Sequence, residues 1–190
     1  MRTMERHDRA NHFGGLVSLL LLSLLPGLDA RGPGQDRTAS AHRSQVIAAA
    51  QQIMRDARYC ALITVGQDGH PQSRVVDPIA PAEDLTVWIG TNPITRKVAQ
   101  IRKDARVTLH YFDPQGPGYV TMLGKAELID DPAEKASHWK QDWAPFYKDG
   151  SRGDDFILIR VEPLRLEVVS DSHGLLNDPT TWIPAAVDFP

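Results

Sequence analysis

The sequence predicts a mainly β protein, an antiparallel barrel of six strands with short flanking helices. Runs rich in β-branched and aromatic residues recur between residues 58 and 170, and their connections are mostly hairpin-sized. The strands are linked mainly by hairpins, with one short helix between the third and fourth, which argues against a doubly wound parallel sheet. Several runs are apolar on both sides, and closure would hide their edges from solvent.

The elements follow in order. Residues 41–57 carry Val46, Ile47, Ala50, Ile53, Met54 and Ala57 at helical spacing, an apolar face suited to covering one end of a sheet. Residues 58–66 form a first strand, and Asp68-Gly69 gives the turn signal of a hairpin to a second strand, residues 71–79. Pro78 and Pro81 end that strand, and residues 85–91 form the third. Asn92 is a favoured N-cap and Pro93 fits the first helical position, so a helix is expected from Pro93, seated by Val98 and Ile101. Residues 106–113 and 119–129 are the fourth and fifth strands, hinged at Pro114-Gln-Gly-Pro-Gly118. Asp131-Pro132 opens a helix expected to run through Trp139 and Trp143 to Tyr147. Residues 155–170 are a long last strand bent at Pro163, and residues 171–190, rich in proline and without a period, read as an irregular tail.

Ahead of this domain, which spans residues 41–170, the run Leu16-Val-Ser-Leu-Leu-Leu-Leu-Ser-Leu-Leu25 follows Arg2, Arg6 and Arg9. It is well short of the ~20 apolar residues that span a bilayer. Residues 1–30 therefore read as a secretory signal peptide with cleavage near Ala30, and residues 31–40 as a flexible linker. Gly14-Gly15 and Pro26-Gly27 oppose the other reading, a buried or interfacial helix. The mature chain is then exported, periplasmic or secreted, with no stable membrane span; without the signal it would be cytoplasmic.

Composition excludes several classes. A net charge of −3 and a pI near 6.1, with no basic stripe beyond one segment, argue against nucleic acid. Cys60 is the only cysteine, so neither an intrachain disulfide nor a thiolate zinc cluster can form, and it reads as a buried apolar-like residue. The seven histidines show no metal-binding spacing, and no metal site is expected.

The exceptional segment is Thr95-Arg96-Lys97. Two cations at the start of a helix oppose its dipole, a cost that becomes a gain if an anion shares the site. Arg74, on an otherwise apolar strand, needs an anionic partner: either the same ligand or Asp77 in a structural ion pair.

Ser73-Arg74-Val75-Val76, Trp88-Ile-Gly-Thr91, Thr95-Arg96-Lys97, Asp104-Ala-Arg106-Val-Thr-Leu and Tyr119-Val-Thr-Met-Leu-Gly-Lys-Ala126 follow one another in this order. The arrangement resembles the pyridoxamine 5′-phosphate oxidase-like split barrels over residues 46–170, and within them the general-stress-protein branch. The resemblance implies an FMN-binding split β-barrel that forms a homodimer and handles a small-molecule redox substrate or reductant, with the flavin at the dimer interface. It further implies that Thr95, Arg96, Lys97 and Arg74 hold the FMN phosphate. Val75 and Val76 would line the ring, Ile89, Gly90 and Thr91 would face ring and ribityl, and Tyr119 would reach a partner's cofactor. Ile79 stands where the oxidases carry a substrate-binding lysine, so pyridoxamine phosphate is not the expected substrate. No catalytic acid or base is assigned; His110 and Tyr119 are the candidates. The alternatives are a non-catalytic flavin carrier active in stress, or a split-barrel binder of haem or deazaflavin.

Overall fold

A computed structural model describes residues 33–190; the expected signal peptide and the first residues of the expected linker lie outside them. Helix α1 spans Pro33–Asp56. Its Val46, Ala49, Ala50, Ile53 and Met54 are buried in the main core, with Ile47 and Ala57 packed beside them, as the apolar period requires. The helix nevertheless begins well before Ala41, so residues 33–40 are helical rather than a linker. Partners distant in sequence hold the middle of the helix: Arg43 Nη1 donates to Asp188 O at 2.8 Å, and Gln45 Nε2 to His173 O at 3.0 Å. No helix of the described residues is long and apolar enough to cross a membrane.

The strands are β1 Cys60–Val65, β2 Pro71–Val76, β3 Val87–Thr91, β4 Arg106–Phe112, β5 Gly118–Ile129, β6 Ile157–Ser170 and β7 Ala185–Asp188. All pairings are antiparallel, in the order β2-β1-β4-β5-β6-β3, with β7 on the C-terminal half of β6. The sheet does not close. Its two edge strands meet only through the bridge Pro78↔Ile89, which gives a split barrel.

The described residues thus form seven strands, not six. β7 lies in the stretch expected to be an irregular tail; it is four residues long with one fully buried side chain, Val187, too little to register as a period. The expected bend of β6 is present. Pairing shifts between Leu123/Gly124 and Arg165/Pro163, leaving Leu164 unpaired as a bulge beside the proline, which has no N–H to give.

Helix α2 spans Arg96–Lys103, and its N-cap is Thr95, not Asn92. Asn92 instead closes a turn: its Oδ1 accepts from Ile94 N–H at 3.0 Å, and its carbonyl accepts from Thr95 N–H at 3.2 Å. Helix α3 is short, Pro132–Ser137, with Asp131 Oδ1 capping Ala133 and Glu134 N–H. The long helix expected to reach Tyr147 breaks at His138, which stacks on Trp88 at 3.8 Å between ring centroids. Trp139, Trp143 and Tyr147 then turn to gather around Phe156, forming a second small core.

Most β residues alternate between the core and an outer face. Cys60 is buried as expected, and burial pushes its thiol up to about 12. On the outer face of the β2-β1-β4-β5 sheet, Val75 is 74% exposed and Phe112 71%, with Tyr59, Leu123 and Leu164 also exposed.

Candidate functional site

A cleft of about 580 Å³ opens where the end of β2, the end of β3, the approach to α2 and the aromatic turn meet. Thr91, Asn92, Thr95 and Lys97 give it a polar side. Tyr59, Trp143, Phe146 and Tyr147 give it an aromatic wall, beside the charged Arg58, Asp77 and Asp142, and Val75, Val76 and Gly90 complete the lining. Gly90 is required there. A Cβ on it would stand 2.7 Å from the Trp143 ring and 2.8 Å from that of Phe156. Asp77 fixes the wall, accepting from Lys140 Nζ at 2.7 Å and from Trp143 Nε1 at 3.3 Å.

The cationic side is built from two directions. Strand β2 brings Arg74 to β1, where its Nη1 donates to Leu62 O at 3.2 Å and to Thr64 Oγ1 at 2.7 Å. Its Nη2 donates to Gln100 Oε1 at 3.0 Å. Asp77 is not among its partners, so the alternative of an Arg74–Asp77 ion pair does not hold. A guanidinium carries five N–H donors. These three bonds leave Arg74 with donors to spare, and all three acceptors are neutral.

From the other side α2 presents Arg96 and Lys97. Thr95 spends its hydroxyl on Asn92 O at 2.9 Å and gives the helix no side-chain cap. The N–H groups of Arg96 and Lys97 consequently have no hydrogen-bond partner among the described residues. Burial, then the charge of Arg96, holds Arg74 below the usual arginine range. Burial, then the charge of Arg74, lowers Lys97. The three cations are therefore close enough to repel one another.

Ion pairing elsewhere makes this arrangement unusual. Among the described residues, six lysines and arginines are not exposed: Arg74, Lys97, Lys135, Lys140, Arg160 and Arg165. Lys135 pairs with Asp130, Lys140 with Asp77, Arg160 with Glu127 and Glu162, and Arg165 with Glu167 and Asp188. Arg74 and Lys97 alone have no carboxylate. A half-buried cation without a counter-ion is a cost that a bound anion removes.

Of the residues singled out from the sequence, Val75, Val76, Gly90, Thr91, Thr95 and Lys97 line the cleft. Arg96 faces an adjoining depression of about 430 Å³ with Gln72 and Gln100. Ile89 does not face the cleft: its side chain is 0% exposed and belongs to the main core, because alternation along β3 turns it inward when Gly90 turns outward. Tyr119 lies on the outer face opposite Phe112, with its ring 5.3 Å from that of His110, away from the cleft of its own chain. His110 is lowered by burial, and its Nδ1 lies 2.9 Å from Thr121 Oγ1.

Sequence reading missed Gln100, Thr64 and the aromatic wall. Gln100 sits between Val98 and Ile101 on the buried face of α2, and a polar residue on a face otherwise seated by apolar ones was the available signal.

Comparison with known proteins agrees with this architecture. A Clostridium acetobutylicum protein described as related to general stress protein 26 superposes with a TM-score of 0.65 at 15% identity, covering 76% of this chain and 95% of its own. A Nostoc punctiforme pyridoxamine 5′-phosphate oxidase-related, FMN binding protein gives 0.52 at 18% identity, covering 76% and 95%. A heme binding protein from Mycobacterium smegmatis gives 0.53 at 20%, covering 65% of this chain and 53% of its own. At these identities the likeness establishes the fold. None of the curated proteins matches this chain in sequence. The sequence model of the family described as Pyridoxamine 5′-phosphate oxidase like, however, matches residues 45–187. The split barrel and that match together make the chain a member of the pyridoxamine 5′-phosphate oxidase like family.

Proposed function

We propose that the protein binds FMN and acts as a flavin-dependent oxidoreductase on a small-molecule substrate. The observation that carries this is the pair Arg74 and Lys97, the two non-exposed cations without a carboxylate among the described residues: Lys97 lines a cleft that also has an aromatic wall, and Arg74 is near enough for its charge to lower Lys97. The residues suit the group. Arg74, Arg96, Lys97 and the free N–H groups opening α2 would hold a phosphate, joined by the Thr95 hydroxyl once it turns from Asn92 O. Val75, Val76 and the Trp143 wall would bound a planar ring. Bound FMN supplies hydride or electron transfer, and the protein supplies position and electrostatics. Ile79 is half-buried and packs on the second core, as Trp88 does, which supports a substrate other than pyridoxamine phosphate. The apolar outer face carrying Val75, Phe112 and Tyr119 is suited to a second copy of the chain, which would complete the site.

The direct test is the visible spectrum of protein expressed without residues 1–30, the stretch we read as an export signal. Flavin absorbance, present on purification or after adding FMN, is expected, followed by oxidation of NAD(P)H or another small reductant. A haem spectrum, or colourless protein that rejects FMN, would remove the proposal; tight flavin without turnover would leave a carrier.

Phosphate recognition also predicts a pH dependence. Lys97 releases its proton below its ordinary 10.5 because burial and Arg74 disfavour the charge. FMN affinity should therefore fall as pH rises through that lowered value, whereas riboflavin, which has no phosphate, should not show this limb. Titrations of both flavins across alkaline pH check it.

A further inference from the structure

We infer that Gln100 is a positioning residue for Arg74, one that orients the guanidinium toward the anion without neutralising it. The inference rests on the phosphate-site reading above and adds to it a residue that touches no ligand itself.

Gln100 is on the buried face of α2 and is 7% exposed. Its Oε1 accepts from Thr64 Oγ1 at 2.6 Å and from Arg74 Nη2 at 3.0 Å. Its Nε2 donates to Gln72 Oε1 at 2.7 Å. Thr64 Oγ1 in turn accepts from Arg74 Nη1 at 2.7 Å. The hydroxyl donates to the amide and both accept from the arginine, while two of the five guanidinium N–H donors stay free for a ligand. The amide orientation is fixed because Oε1 faces two donors, leaving Nε2 for Gln72. Gln100 is too enclosed, and its oxygen too fully used, to bind a ligand directly. And the arginine is held entirely by neutral acceptors, Leu62 O included.

A glutamate at position 100 would fit the same space and bind Arg74 more strongly. It would also discharge the cation, and phosphate would have to compete with a resident carboxylate. The amide anchors Arg74 while leaving its charge for the ligand.

The test compares FMN with riboflavin in fluorescence titrations of the flavin-free full domain, residues 31–190, since the ratio of the two dissociation constants isolates the phosphate contribution. Gln100→Glu is expected to lower the preference for FMN by about tenfold or more, with riboflavin affinity unchanged. Gln100→Met, similar in length and without an acceptor, lowers the same preference by releasing the guanidinium, and it decides the matter should the buried carboxylate prevent folding. Added inorganic phosphate should compete with FMN in the wild type and less effectively in either variant. Folded variants that keep the wild-type preference, or that weaken both flavins alike, would overturn the positioning role while leaving the phosphate site intact. A wild-type protein with no preference for FMN over riboflavin would overturn the phosphate site itself.

Discussion

Arg96→Ala combined with Lys97→Ala is expected to weaken FMN binding by at least about a hundredfold while the domain stays folded. Each hydrogen bond from a charged donor to phosphate contributes roughly 1.5–3 kcal/mol. Loss of two such donors, even allowing for non-additivity, exceeds the ~2.7 kcal/mol that a hundredfold change represents. Apo-protein stability should not fall, since neither side chain has an ion pair to lose and Lys97 is held charged against burial. Thermal unfolding of the apo-protein and titration with both flavins separate these effects. Unchanged FMN affinity in the double variant would eliminate the helix start as the phosphate site, whereas equal loss of FMN and riboflavin would point to a damaged cleft.

Phe156→Ala should do the converse, harming the fold and both flavins together. Phe156 is 0% exposed and is ringed by Tyr147, Trp139 and Trp143 at 4.8, 5.1 and 5.8 Å between centroids. Removing a buried phenylalanine side chain costs about 3–5 kcal/mol, because the surroundings only partly collapse into the cavity. For a domain of this size that lowers Tm by roughly 10 °C. The aromatic wall rests on this ring, so Trp143 and Tyr147 lose their backing, and ring binding suffers whether or not a phosphate is attached. Thermal denaturation monitored by tryptophan fluorescence gives the first quantity and riboflavin titration the second. A variant with wild-type Tm would mean that the second core contributes little to stability.

The two substitutions probe different sides of one cleft, and the sides differed in how far they could be read from the sequence. Thr95-Arg96-Lys97 was legible because its oddity is local: cations at a helix start conflict with the dipole wherever that helix packs. Arg74 was legible for a similar reason, as a charge on an apolar strand. The aromatic wall was not legible. Trp139, Trp143 and Tyr147 carry helical spacing consistent with one long helix, and only Trp88, Asp77 and Phe156, supplied by other parts of the chain, break that helix after Ser137.

The sequence by itself determined the class of the fold, the position of most strands, the apolar face of α1 and the bend at Pro163, and it singled out the cations of the proposed site. All of these follow from short-range periodicity, turn chemistry or a single residue out of place. Tertiary structure alone decided that α2 begins at Arg96, that β7 pairs with β6, that Ile89 turns inward, and that Gln100 meets Arg74. Each of those depends on a partner brought close by the sheet. Gln100 and Thr64 are 36 residues apart, and Arg74 and Gln100 are 26 apart. No local pattern records a contact of that kind, because the hydrogen bonds that select it exist only once β1, β2 and α2 have packed.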